Sequence, residues 1–106
     1  MLFDIHNAPE STVVRCSGRI VQGDGADDLL RTVMAQESRQ IQIDLSRVSA
    51  IDAGGLGALV ALQAWARHTR RAIQLISPSR HVRKALETTG LTSVFQVRPS
   101  TRGEAA

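Results

Sequence analysis

The chain has no tyrosine, one cysteine, one lysine and only three aromatic residues, Phe3, Trp65 and Phe95. Each shortage excludes something. A lone Cys16 cannot form an internal disulfide, which fits a reducing, cytoplasmic setting. Three scattered aromatics cannot supply the stacking platforms that hold single-stranded nucleic acid. No apolar run approaches the roughly 20 residues of a membrane span. The opening MLFDIHNAPE lacks the basic flank and long apolar stretch of a secretory leader. Neither membrane insertion nor a nucleic-acid partner is expected.

The isoelectric point near 10.4 does not overturn that expectation. Net charge is only +3, and all but one of the 13 cations are arginines, Lys84 being the exception. With no tyrosine, few groups titrate between neutrality and the arginine range, so the isoelectric point climbs without a large charge at neutral pH. The composition, 42% hydrophobic and 22% charged over 106 residues, is that of one globular domain with a core sufficient without disulfides. Residues 1–98 are expected to form the domain and 99–106 a polar C-terminal tail.

Periodicity divides the chain further. STVVRCSGRIV (11–21) is rich in β-branched residues and reads as a strand. QGDGADDLLRTVMAQES (22–38) reads as an amphipathic helix, with Asp24, Asp27 and Asp28 near the end where the dipole favours acids. RQIQIDLSRV (39–48) alternates Ile41, Ile43 and Leu45, a strand. A helix is expected from Gly55 to Thr69, its apolar face made by Leu56, Leu59, Val60 and Leu62. RAIQLIS (71–77) is a strand. SPSRHVRKALETTG (77–90) is a helix capped by Ser77, with Pro78 at its first position and Gly90 at its left-handed end. LTSVFQV (91–97) closes as a strand, and LFDIH (2–6) is a candidate first one. Strands alternating with helices predict an α/β domain with a largely parallel sheet.

Catalytic chemistry finds little support in these residues. His6, His68 and His81 have no metal-ligand spacing with one another or with Cys16, so no metal and no cofactor are expected. Cys16 lies inside a strand without a CxxC partner and reads as a small buried hydrophobe. Asp27 and Asp28 diverge around their helix and do not face each other. Basic residues gather as Arg67, His68, Arg70 and Arg71 on one helix and Arg80, Arg83 and Lys84 on another, as solvated helix ends or as an edge that meets an acidic partner.

The stretch SAIDAGGLGALVAL (49–62) is different. Asp52 precedes a glycine-rich helix start, where unpaired N–H groups and the dipole suit an anion. Asp52 could meet that need itself as a cap. A tightly packed capped turn, an anion cradle and a docking surface all remain open from spacing alone.

IDLSRVSAIDAGGLGALVAL with AIQLISPSRHVRKALETTGLTSVFQV resembles a STAS domain, the fold of bacterial anti-sigma factor antagonists. The upstream VVRCSGRI fits the same pattern, so the resemblance runs from about residue 11 to 98. It implies a four- to five-stranded mixed sheet backed by about four helices. It also implies a partner-binding surface at Asp52, Ala53, Gly54, Gly55, Leu56 and Gly57, with no catalysis. In partner-switching members, an anti-sigma factor with a histidine-kinase-like ATPase domain phosphorylates the Ser or Thr after the motif's Asp. Here that position is Ala53, which has no hydroxyl, and Gly54 follows. Ser46 and Ser49 lie nearby and read as turn residues rather than substitute acceptors.

The resemblance therefore implies a bacterial transcription regulator that binds an anti-sigma factor or kinase-type ATPase without the usual switch. STAS domains also serve as accessory subunits of transporters, including lipid-trafficking ABC assemblies, and Ala53 suits that role too. A small nucleotide- or anion-binding enzyme using the helix start is the third alternative. A homodimer through a sheet edge or the helix face stays open.

Overall fold

The structure, a computed structural model, describes residues 1–99; the expected tail lies outside the described residues from position 100 onward. The elements are β1 (Leu2–Asn7), β2 (Ser11–Ile20), α1 (Ala26–Met34), β3 (Gln40–Ile51), α2 (Ala53–His68), β4 (Ala72–Ile76), α3 (Arg80–Thr88), a 3-10 turn (Thr92–Val94) and β5 (Gln96–Arg98). The five strands form one sheet in the order β1-β2-β3-β4-β5. β1 runs antiparallel to β2, and the other pairs are parallel. The expected mixed, largely parallel sheet is therefore present. The described residues hold three α-helices rather than about four.

The strand order explains why the domain is one-sided. Each crossover from β2 onward steps to the next strand in the same direction, and crossovers of one hand then lay every helix on the same face. Val14, Ile43 and Leu75 pair across that face and are fully buried. Leu29 and Val33 of α1, Leu59 and Leu62 of α2, and Val82 and Leu86 of α3 join them in one core. The opposite face carries Val13, Arg15, Gln42, Gln74 and Gln96, where Gln42 Nε2 donates to Gln74 Oε1 at 3.3 Å. Asp44 on that face is largely buried and accepts from Arg15 Nε at 3.2 Å and from the Ser46 hydroxyl at 2.7 Å. Ser46 is thus a local partner of Asp44, while Ser49 Oγ reaches the Gly18 carbonyl at 3.4 Å.

Several expected boundaries move, each for a physical reason. β3 continues past Val48 to Ile51 because β2 keeps pairing beyond its irregularities at Arg15–Ser17 and Gly18–Arg19, through Arg19–Ala50 and Ile20–Ile51. α1 begins at Ala26 because residues 21–24 close a tight turn, with reciprocal bonds between Val21 and Asp24 at 3.0 Å. Ser77 does not cap α3. It has a φ of 51° and donates its N–H to Arg98 at the end of β5, and Ser79 takes the cap by accepting from Val82 N. Residues 91–95 do not join β5, because their chain turns through Thr92–Val94 to bring Phe95 into the core. Val60, expected on the apolar face of α2, is 38% exposed.

The helix ends α2 and α3 close alike but with different residues. After α3, Gly90 takes a φ of 72°, Gly90 N–H bonds Glu87 O and Leu91 N–H bonds Leu86 O. After α2, Arg70 holds a φ of 59°, Arg70 N–H bonds Arg67 O and Arg71 N–H bonds Ala66 O at 2.7 Å. Both are Schellman closures, and a side chain in the left-handed region is costly where glycine is free of that cost. Arg70→Gly should therefore stabilise the protein by about 0.5–1 kcal/mol despite removing a charged side chain. Urea denaturation checks this, and a loss of stability would contradict it.

Candidate functional site

β3 ends at Ile51 and hands the chain directly to Asp52, which is extended and caps α2. Its Oδ1 accepts from Gly55 N at 2.9 Å. The carboxylate also accepts from Gln22 N, at 3.2 and 3.1 Å to its two oxygens. One side chain thus closes the first turn of α2 and ties it to the loop after β2. These donated bonds, Gly55 first and Gln22 next, hold the Asp52 carboxyl below the usual carboxylate range although the residue is exposed. Negative charge already occupies the place that an anionic ligand would take at this helix start.

The glycines are helical residues rather than turn residues, and they differ from one another. Gly55 is buried, and a Cβ there would collide with the Ile20 carbonyl oxygen and lie 2.8 Å from Ile51 Cγ1. At Gly54 a Cβ would come 2.6 Å from Gln22 Cβ. Gly55 lets α2 sit directly against the strand ends of its own sheet, and Gly54 lets it sit against the loop after β2. Gly57 has open space around it and is exposed. Leu56 is only 8% exposed and belongs to the core, so it is not the apolar contact for a partner that the motif suggests. Of the six residues singled out, Asp52, Ala53 and Gly57 are exposed, Gly54 is half-buried, and Gly55 and Leu56 are interior.

Gly54 and Gly57 also line a concavity of about 550 Å³ between α1 and α2, together with Gln22, Asp27, Leu30 and Ala61. Gln22, Asp27 and Leu30 escape a linear reading because the loop after β2 and helix α1 are brought to α2 only by the sheet. The small residues of α2 and the half-buried Leu30 of α1 are the signal that could have found this groove. The other expectations are simpler. Cys16 is fully buried, and burial, then the Asp44 charge, push its thiol up to about 12, far from a nucleophile's range. Among the described residues no group of His, Cys, Asp and Glu is placed to hold a metal ion. No described helix is long and apolar enough to cross a membrane. Arg71 stacks over Trp65, its Cζ 5.0 Å from the ring centroid, and so braces the end of α2.

Two outcomes follow from this geometry. Gly55→Ala should cost about 1–3 kcal/mol through overpacking, whereas Gly57→Ala should gain about 0.5–1 kcal/mol through helix propensity alone; chemical denaturation measures both. Because the Asp52 carboxyl titrates lower in the folded than in the unfolded chain, its charge adds stability above the ordinary carboxylate range, and that part is lost as pH falls through the folded value. Asn keeps a cap without the charge, so the melting-temperature gap between wild type and Asp52→Asn should narrow from about pH 7 to about pH 3. A gap independent of pH would contradict the charge-based account.

Comparison with known proteins places this arrangement. The family profile described as "Mlab, STAS domain" matches residues 3–97. A Thermotoga maritima protein described as an anti-sigma factor antagonist superposes with a TM-score of 0.82 at 20% identity, covering 97% of this chain and 90% of its own. The anti-sigma factor antagonist SpoIIAA in its unphosphorylated form gives 0.76 at 20% identity, covering 98% and 92%; the Bacillus protein is matched in its phosphorylated form as well. A sulfate transporter family protein from Wolinella succinogenes gives 0.74 at 22% identity, covering 86% and 78%. No curated protein sequence gives a significant match. The structural likenesses are ones of fold, and the profile spans nearly all the described residues. The chain belongs to the STAS domain family.

Proposed function

We propose that this protein is a non-catalytic interaction module that binds an anti-sigma factor or a related histidine-kinase-like ATPase through the start of α2. The observation that carries the reading is the split within the Asp52–Gly57 element. Asp52, Gly55 and Leu56 are engaged inside the domain, which leaves Ala53 and Gly57 exposed beside the groove between α1 and α2. The fold neighbours described as anti-sigma factor antagonists support the choice of partner. Of these, SpoIIAA is found both with and without phosphate. A phosphate would add about −1.5 to −2 charges at a surface it enters, and Ala53 has no hydroxyl to accept one. In this reading the module stays permanently in the binding state, and its control lies in abundance or in the partner.

A second reading is favoured by the Wolinella sulfate transporter family neighbour. In this reading the same surface of this chain binds the ATPase subunit of a transporter of the lipid-trafficking ABC type, again without a phosphorylation cycle. Genes encoded beside this one distinguish the two, an anti-sigma or sigma factor on one hand and a permease with its ATPase on the other.

The surface is tested by Ala53→Glu. Position 53 is the first residue of α2, where a carboxylate favours the helix by about 0.3–1 kcal/mol. The variant should therefore melt no lower than wild type while its affinity for the partner falls roughly tenfold or more. Titration calorimetry against the anti-sigma proteins of the same genome reads the affinity. Unchanged affinity would remove residue 53 from the interface.

A further inference from the structure

The two edges of the sheet are unlike. β5 spans only three residues and is followed by Pro99, a short edge that gives an incoming strand little to pair with. β1 spans six residues without proline or lysine and leaves Leu2 76% and Ile5 38% exposed. Such an edge is a template for another strand unless something covers it. We propose that β1 pairs antiparallel with β1 of a second copy of this chain, across a twofold axis at Ile5, so that two sheets become one.

The backbone identifies the free side of the strand. Ala8 N–H donates to Ser11 O at 2.8 Å, which makes that pair hydrogen-bonded. By alternation His6–Val13, Asp4–Arg15 and Leu2–Ser17 are hydrogen-bonded too. The N–H and C=O groups of Phe3, Ile5 and Asn7 therefore point away from β2, toward the open edge.

Charge then selects the register. Residues opposite each other in an antiparallel pair share a face, so the axis falls on Asp4 or on Ile5 if most of β1 is to be used. An axis on Asp4 sets two like carboxylates in a non-hydrogen-bonded pair, where side chains are closest, and uses the outward groups of Phe3 and Ile5 alone. An axis on Ile5 sets Asp4 opposite His6 of the second copy, twice, and adds the outward groups of Asn7. It also joins the two exposed Ile5 side chains. Within one copy Asp4 already lies 3.3 Å from His6 and 3.9 Å from Arg15, and Arg15 bonds Asp44. The row Asp44, Arg15, Asp4 alternates in sign across the bare face and stops at the edge with an acid. His6 of the second copy continues it by one step, as a side chain whose ring N–H can donate to that acid.

Cross-linking tests both the dimer and its register. A hydrogen-bonded antiparallel pair has a Cα separation of about 5.5 Å, within disulfide reach. On mild oxidation of the full chain, Ile5→Cys should give a covalent dimer, and Asp4→Cys roughly tenfold less, because its copies are staggered. Cys16 is fully buried and does not compete. Sedimentation equilibrium of the wild type should show a concentration-dependent monomer and dimer. His6→Asp and Ile5→Lys should each raise the dimer Kd roughly tenfold or more, with far-UV circular dichroism matching wild type at concentrations where both are monomeric, to show that the fold is kept. A monomer at every concentration, Asp4→Cys cross-linking as readily as Ile5→Cys, or His6→Asp without effect would each overturn the proposal.

Discussion

The contact on which this domain depends is the approach of Gly55 to the carbonyl of Ile20, held in place by the Asp52 carboxylate. α2 can lie on the sheet only if its first turn comes down onto the ends of β2 and β3, and no side chain fits between them at position 55. Asp52 then accepts from Gly55 and from Gln22, so one carboxylate ties the helix start to the loop after β2, 30 residues earlier in the chain. The direction of α2, the groove it forms with α1 and the exposure of Ala53 are set by this contact. The surface around Ala53 is one that the folding requirements of its neighbours have already shaped.

That dependence divides the motif in a way its linear form conceals. Asp, Gly and Leu read naturally as a charge, a close approach and an apolar contact offered to a partner. In the folded chain the close approach is to the protein's own Ile20 and the apolar contact is with its own core. Three residues remain outward, and of these Asp52 has its carboxylate taken up as the cap, while Ala53 and Gly57 are the chemically plainest of the set. Neither Ala53 nor Gly57 brings charge or a hydrogen-bonding side chain to that surface.

Much of the fold was legible because local periodicity agrees with the tertiary result. Ile41, Ile43 and Leu45 alternate in sequence and bury one face, and Gly90 ends α3 in the left-handed conformation that its position suggests. What was not legible depends on pairing between distant segments. The extension of β3 to Ile51 needs the tail of β2, and the transfer of the α3 cap from Ser77 to Ser79 needs the bond from Ser77 to Arg98. Likewise Gln22 carries no motif of its own, and only the sheet brings its N–H to Asp52. That residue 53 is an alanine is plain from the sequence, whereas the burial of Leu56 is not, because Leu56 and Val60 look equally apolar and only packing separates them.

The strand order has one more consequence, for anything attached to this domain. The chain enters at β1 and leaves at β5, opposite edges of the sheet, about four strand spacings or roughly 19 Å apart. Because β1 is antiparallel to the rest, both entry and exit lie toward the end to which the parallel strands point, the end that also carries Asp52 and Ala53. A domain so arranged suits linkage in series better than insertion into a host loop. A segment tethered at either terminus would be held at high effective concentration near the start of α2.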